Sequence, residues 1–343
     1  MVINKLHKFP NTRYMGSKSK LLPSIEKIVL ELNPKTALDA FSGSGCVSYL
    51  LKDMGVNVTT NDFLKFAGNI GKAVIENNET KISEEDIEFL INNNSGNHSF
   101  IQDTFKGLYY NDEDNKFLDD LWFNIDRIEN EYKKAIAFAS ISRACIKRRP
   151  RGMFAYTGFR YEDGRKDLKL SLKEHFILAI QEWNNAIFDN KTDCKAINQD
   201  IFDVTETKFD LVYIDPPYVS TQSDNDYTRR YHFIEGYMSY WKGVNIQQHT
   251  KTKKIESKYT PFGSKKTIYK AFDDIFKKFR NSTLLVSYSS NSIPSREEMV
   301  ELLKTYKKDV SIIEVDYKYS FGNHAHKVGN NRNAVSEYLF IAK

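Results

Sequence analysis

Only three cysteines occur in 343 residues (Cys46, Cys145 and Cys194), and none forms a CxxC pair. That spacing supports neither a disulfide framework nor a zinc site, and it fits a reducing, cytoplasmic compartment. No run approaches the ~18 consecutive apolar residues of a membrane span. Met1 to Pro10 lacks the apolar core of a signal peptide. Membrane-spanning and secreted classes are therefore not expected. Charge of one sign is in small excess, and a net charge of +5 permits nucleic-acid binding without requiring it. The chain does have length enough for about two domains, with an ordinary 41% of hydrophobic residues.

The most informative stretch is Leu211-Val212-Tyr213-Ile214-Asp215-Pro216-Pro217-Tyr218. Four mostly apolar β-formers read as a short buried strand. Two prolines then stop the strand and stiffen the turn. A carboxylate, a proline carbonyl and an aromatic ring are thereby held in fixed relation. A flat heterocycle bearing an amine fits that set: carboxylate and carbonyl accept from the amine, and the ring stacks on the heterocycle. An ordinary strand exit with a Pro-Pro stop is the plainer alternative.

Near the amino terminus, Arg13 to Lys18 forms a loop that enters an amphipathic helix with Pro23 in its first turn. Thr36 to Ala40 reads as a strand, Phe41-Ser42-Gly43-Ser44-Gly45 as a glycine turn, and Cys46 to about Gly55 as a helix. A second strand, Val56 to Thr60, ends at Asn61-Asp62. Strand, glycine turn and helix let backbone approach a nucleotide-like ligand, and an acid about 20 residues on can bond a ribose diol. A dinucleotide, S-adenosylmethionine or no ligand at all remains open for this unit taken alone. The alternation of strand and helix stops from Gly68 to Lys191. Within that span, Arg143 to Lys173 carries ten basic residues against Glu162, Asp163 and Asp167, interleaved with Phe154, Tyr156, Phe159 and Tyr161. Such interleaving suits a phosphate backbone and bases. Strands resume at Lys195 to Gln199, ending in Asp200, and at Phe209 to Ile214. Val219 to Gly263 reads as a long polar, aromatic and basic loop. A helix (268–279), a strand (283–288), a helix (296–306) and strands at 310–315 and 334–341 complete the chain. Asp39, Asp62, Asp200 and Asp215 all fall at the carboxyl edge of the expected parallel sheet, where open α/β sheets bind ligands.

Taken together these residues resemble the alpha-class, Dam-type DNA adenine methyltransferases, which include the modification methylases of type II restriction systems. The Arg13 to Lys18 segment, the glycine turn Asp39 to Gly45, the acid Asp62, the basic insert and Asp215-Pro216-Pro217-Tyr218 stand in that family's order. Arg148-Arg149-Pro150-Arg151-Gly152 with Asp163 to Leu168 is similar to the family's insert, and Val286 to Ser290 to its later strand-end motif. Ser42 departs from a bulkier residue in many relatives.

The resemblance implies a Rossmann-like α/β fold with a mainly helical DNA-recognition insert. The catalytic domain would be 1–75 with 191–343, and the insert 76–190. It implies S-adenosylmethionine as cofactor, held by Tyr14, Lys18, Asp39, Phe41, Gly43, Asp62, Asp200 and Asp215, with no metal. Double-stranded DNA would be the partner, contacted by Arg148, Arg149, Arg151, Arg165, Lys166, Arg229 and Arg230, with His232 and Trp241 as further candidates. Catalysis would fall to Asp215, Pro216, Pro217 and Tyr218 acting on a flipped-out adenine. A cognate restriction endonuclease would act on the same site without a stable complex. Cytosine N4, an RNA adenine or a glutamine amide are alternative acceptors. From another class, a non-catalytic DNA-binding protein on the same scaffold is the remaining alternative.

Overall fold

Two short runs, Thr36–Asp39 and Leu211–Ile214, lie side by side at the centre of a seven-stranded sheet. The structure, a computed structural model, describes residues 8–12, 14–93, 96–158, 164, 166–220, 226–318 and 334–343. In chain order the strands are β1 (Thr36–Asp39), β2 (Asn57–Asn61), β3 (Lys195–Ile197), β4 (Leu211–Ile214), β5 (Val219–Ser220), β6 (Thr283–Ser289), β7 (Ser292–Ile293), β8 (Val310–Lys318) and β9 (Ala334–Ala342). The sheet runs β3-β2-β1-β4-β6-β9-β8, and β5 pairs with β7 as a separate two-stranded ladder. Its first five strands are mutually parallel, whereas β9 is antiparallel to both β6 and β8. All four residues of β4 are buried, as an unbroken apolar run should be in a sheet covered on both faces. Chain direction across the sheet reverses between β1 and β4. Such a switch point opens a crevice at the carboxyl ends of the strands.

The helices are α1 (Leu22–Leu32), α2 (Cys46–Asp53), α3 (Lys65–Gly71), α4 (Glu84–Asn92), α5 (Phe100–Thr104), α6 (Asp112–Asp126), α7 (Glu131–Arg148), α8 (Leu172–Ala186), α9 (Tyr227–Tyr237), α10 (Ile268–Lys278) and α11 (Arg296–Lys304). Their starts follow local chemistry. Pro23 sits in the first turn of α1, and Ser171 with Glu174 forms a capping box on α8. Among the described residues no helix is long and apolar enough to cross a membrane.

Alternate strand residues feed two cores. Ala37, Val58, Leu211, Tyr213 and Leu285 pack with α1, α2, α3 and the helices of the insert. Leu38, Val212, Ile214, Leu284 and Val286 pack with α10 and α11 on the opposite face. Helices α4 to α8 lie between β2 and β3 in sequence and share one continuous core with the sheet.

The stretch read as a long loop after Tyr218 instead contains α9, and that helix joins the same core through Tyr231, Phe233, Ile234 and Tyr237. Every residue from Tyr231 to Tyr237 is buried. Two turns of helix enclosed on all sides carry no 3.6-residue stripe to betray them. The neighbouring Trp241 lies against Gly236, where a Cβ would come within 2.2 Å of the indole nitrogen.

Candidate active site

The glycine turn between β1 and α2 adopts left-handed backbone, with φ of 50° at Gly43 and 78° at Gly45, a region that side chains disfavour. Space is tight as well, since a Cβ on Gly43 would stand 2.9 Å from the Tyr14 ring. Asp62, just past β2, braces the turn. Its Oδ2 accepts from the Gly43 N–H at 2.8 Å and its Oδ1 from the Leu64 N–H at 2.9 Å. Burial nonetheless pushes its carboxyl up to about 6.

Asp39, at the end of β1, is buried. Its Oδ2 accepts from the Ser48 hydroxyl at 2.6 Å, while Oδ1 has no hydrogen-bond partner among the described residues. Burial pushes this carboxyl up to about 7. A buried carboxylate oxygen left unsatisfied beside a cleft is a receptor for a cationic donor.

At the end of β4, Asp215 Oδ2 meets the Lys18 ammonium at 2.9 Å, and Oδ1 accepts from the Tyr218 hydroxyl at 3.0 Å. Lys18 is 5% exposed, donates to the Gly16 carbonyl at 3.0 Å and lies 4.7 Å from the centre of the Tyr218 ring. Burial raises the Asp215 carboxyl to about 6 against the pull of Lys18. Burial alone would lower Lys18, but Asp215 and Glu337 hold it above its ordinary value. The ammonium thus occupies the carboxylate that a substrate amine would need.

These groups converge. Tyr14, Lys18, Asp39, Phe41, Gly43, Asp62, Asp215 and Pro217 line one cleft of about 560 Å³. A smaller cavity of about 320 Å³ shares Phe41, Phe63 and Pro217 with it and reaches Asp200. Tyr14 stacks on Tyr231 with ring centres 5.2 Å apart and on Tyr227 at 5.9 Å, so α9 forms one wall. Tyr218 stands at the corner beside Asp215, with Tyr288 edge-on at 4.9 Å. Pro216 is buried behind it.

The expected DNA contacts separate into two groups. Lys166 and Arg229 are exposed. Arg149 requires correction: it is fully buried, and its guanidinium donates to the carbonyls of Gly158 at 3.0 Å and Tyr156 at 2.9 Å. It ties down the loop after α7 instead of meeting solvent. Arg148 is likewise turned inward, onto the Leu168 carbonyl and 3.5 Å from the Asp114 carboxylate. Arg230 is half-buried, with a guanidinium nitrogen 2.8 Å from the Met15 sulfur. His232 and Trp241 are core residues, and burial lowers His232 to about 4. Arg165 and the side chain of Arg151 lie outside the described residues.

Two features gave no sign in the sequence, and a third showed there only as part of a basic loop. Glu337, on β9, is 1% exposed and meets the Tyr218 hydroxyl at 3.0 Å. Glu235, on α9, is buried and accepts from the Lys65 N–H at 3.1 Å and from Lys258 at 2.7 Å, capping α3 from outside. A basic strip carries Lys251, Lys258, Lys265 and Lys266 at the surface, with Tyr259 73% exposed beside them. A charge count over 242–267 would have found the strip. Nothing local marks the two glutamates.

A family model for the D12 class N6 adenine-specific DNA methyltransferases matches residues 14–321. The chain is 27% identical to the type II methyltransferase M2.HphI of Haemophilus parahaemolyticus, over 98% of both chains. It is 25% identical to the modification methylase LlaI of Lactococcus lactis subsp. lactis, over 96% of this chain and 55% of that protein. It is 27% identical to the type II methyltransferase M.FokI of Planomicrobium okeanokoites, over 96% of this chain and 52% of that one. The chain therefore spans about half the length of the last two.

Proposed function

The chain belongs to the D12 class of N6 adenine-specific DNA methyltransferases, and on that premise we propose which of its groups hold the methyl donor and the base. Its activity is methylation of adenine in DNA, as the modification part of a restriction–modification system. Cytosine and RNA fall away as acceptors with that membership.

The donor is S-adenosylmethionine. The observation that carries this is the convergence of Asp39, Gly43 and Asp215 on one cleft. Asp39 Oδ1, without a hydrogen-bond partner among the described residues, suits an ammonium at the donor's amino-acid end. The Gly43 backbone, which tolerates no Cβ, lies against it together with Phe41 and Tyr14. Asp62 receives the ribose diol, and Asp200 receives the adenine amine in the smaller cavity. When bound, S-adenosylmethionine supplies a methyl group on a sulfonium, a leaving group that departs as a neutral thioether.

The chain's own part is orientation and charge. Lys18 withdraws from Asp215 as the target amine takes its place. Asp215 and the Pro216 carbonyl accept from the two hydrogens of that amine and turn its lone pair toward the methyl group. Tyr218 offers its ring to the face of the extruded adenine. A fixed carboxylate in a site shielded from water favours the charge that develops on nitrogen and needs no reorganisation to do so. Pro217 stiffens the corner.

The exposed Lys166, Arg229 and the lysines of the strip meet the DNA phosphates, with Arg151 and Arg165 near Lys166 in sequence. Residues 76–190, with α9 packed into the same core, form the target-recognition body beside the catalytic sheet of 1–75 and 191–343. The enzyme works in the cytoplasm, and a cognate endonuclease cuts the same sequence when it is unmodified.

Calorimetry tests the donor assignment. Wild type should bind one S-adenosylmethionine per chain, and Asp39→Ala should weaken that at least ~10-fold, as expected for loss of a charge-assisted hydrogen bond. No detectable binding to wild type would overturn it.

A further inference from the structure

Tyr14 and Lys18 stand on the loop that precedes α1. That loop has local backbone bonds, from the Tyr14 N–H to the Thr12 carbonyl at 2.8 Å and from the Ser17 N–H to the Tyr14 carbonyl at 3.2 Å. A bond from Met15 reaches much further. Its N–H donates to the Tyr231 hydroxyl at 2.8 Å, across 216 positions of sequence. The Tyr231 ring also lies parallel to that of Tyr14, with centres 5.2 Å apart and planes 5° apart. Tyr231 is fully buried, and of these two rings Tyr14 lines the donor cleft while Tyr231 does not. Tyr231 therefore stands behind the cleft wall, on α9, at the residue where that helix leaves helical backbone (φ −112°, ψ 16°). Many residues of functional sites occupy this bridge region.

Towards the glycine turn Tyr14 has little slack, since a Cβ on Gly43 would come within 2.9 Å of its ring. Parallel rings with centres about 4.5–7 Å apart attract beyond the area they bury, so Tyr231 acts as a plate behind Tyr14. Ring and hydroxyl act on consecutive residues, one on the Tyr14 side chain and the other on the Met15 backbone. Two such restraints set both the depth and the tilt of this stretch of wall. Tyr231 is itself packed in place, with Phe66 of α3 tilted against it at 5.4 Å and Tyr227 at 6.4 Å. A wall fixed before its ligand arrives needs no ordering at binding, and the saving appears as affinity.

Resting on the donor site proposed above, we infer that Tyr231 is a positioning residue for the methyl donor. It holds the Tyr14 ring towards the glycine turn and pins the Met15 backbone, from behind the wall that the donor meets. The same helix also packs on the basic insert, where the Arg230 carbonyl accepts from the Phe154 N–H at 2.9 Å. Which ligand is lost on substitution therefore separates a role at the donor wall from general packing. Loss of donor affinity alone belongs to the wall, and loss shared with DNA belongs to the helix as a whole.

The experiment measures S-adenosylmethionine binding by calorimetry for wild type, Tyr231→Phe and Tyr231→Leu, with kcat at saturating donor and the KM for a cognate duplex. Thermal melting checks that each variant folds, and Tyr231→Phe, which keeps the ring, decides the matter if Tyr231→Leu does not fold. Tyr231→Phe removes the acceptor for Met15 and should weaken donor binding about fivefold, the worth of one hydrogen bond. Tyr231→Leu loses the stack as well and should weaken it about 30-fold. In both, kcat at saturating donor and the KM for DNA should stay within about twofold of wild type, as expected when only donor binding is lost. Donor affinity within about 1.5-fold of wild type in either folded variant would overturn the inference. So would a kcat or a DNA KM that changes as much as the donor affinity does. Absence of donor binding by wild type would sink the proposed donor site itself, a result distinct from each of these.

Discussion

Replacing Asp215 with Asn keeps the shape of the corner and removes its charge, so the effect separates electrostatics from packing. The carboxylate now makes two short contacts, to Lys18 at 2.9 Å and to Tyr218 at 3.0 Å. The amide in the Asp215→Asn variant would retain one acceptor oxygen and would present an NH₂ where the second stood. A preorganised group aimed at developing charge in a shielded site is worth ~3–4 kcal/mol. At ~1.4 kcal/mol per decade, kcat should therefore fall by ~10²–10³-fold. Stability should change far less, because two costs oppose each other. Removing one partner of a buried ion pair costs ~3–5 kcal/mol. Against that, removal of the charge relieves a burial penalty that outweighs the pull of Lys18 and leaves the Asp215 carboxyl raised to about 6, an opposing effect of the same order. The assay is single-turnover methylation of a duplex, with calorimetry for the donor and thermal melting alongside. A kcat within ~5-fold of wild type would refute the electrostatic role of this carboxylate.

The same carboxyl sets a pH expectation: with the donor saturating, so that its ammonium holds Asp39 ionised, kcat/KM for DNA should fall about tenfold per unit below pH ~6 as Asp215 takes up a proton, and a flat profile down to pH ~5 would contradict it. Asp39 offers a stability test with an unusual sign. Its carboxyl is raised from 3.8 to about 7 by burial, so the native state binds more protons than the unfolded one in that window, and stability falls as pH rises through it. Asp39→Asn should therefore melt higher than wild type at pH 8, by up to ~4 kcal/mol, and lose this advantage by pH 4 while binding the donor poorly. Melting curves at both pH values decide it, and a variant no more stable at pH 8 would count against the buried charge. Neutralising Lys251, Lys265 and Lys266 together should reduce the slope of log affinity against log salt by ~2–3. Arg149→Ala should instead lower stability by ~3 kcal/mol, since it leaves buried carbonyls unpaired, with the salt slope unchanged. The reverse pattern in DNA titrations and melts would return Arg149 to the DNA face.

Much of the site could be read because its chemistry is local. The run Leu211 to Ile214 has to be a strand covered on both faces, and the prolines after Asp215 have to end it. Gly43 and Gly45 carry the left-handed backbone of a tight turn, so the residues alone locate the ligand-facing bend. The antiparallel placing of β9 between β6 and β8 could not be read in the same way, since strand order depends on pairing between distant segments. Helix α9 escaped because every residue from Tyr231 to Tyr237 is buried, so that part loses the periodicity that marks surface helices. Charge proved ambiguous in the insert. Arg148 and Arg149 are neighbours of exposed basic residues in sequence, but three-dimensional packing brings Asp114 and the carbonyls of Tyr156, Gly158 and Leu168 around them. Glu337 gave no sign at all, because its partner Tyr218 lies 119 residues away.

On the proposed function, one cleft at the junction of β1 and β4 joins a methyl donor to the exocyclic amine of adenine under the hold of Asp215. Incubation of a cognate duplex with methyl-labelled S-adenosylmethionine, followed by digestion and mass spectrometry of the nucleosides, tests it most directly. Wild type should place the label in N6-methyldeoxyadenosine, and Asp215→Ala should place almost none there while still binding the donor. Label in N4-methyldeoxycytidine, or undiminished adenine labelling by Asp215→Ala, would contradict it.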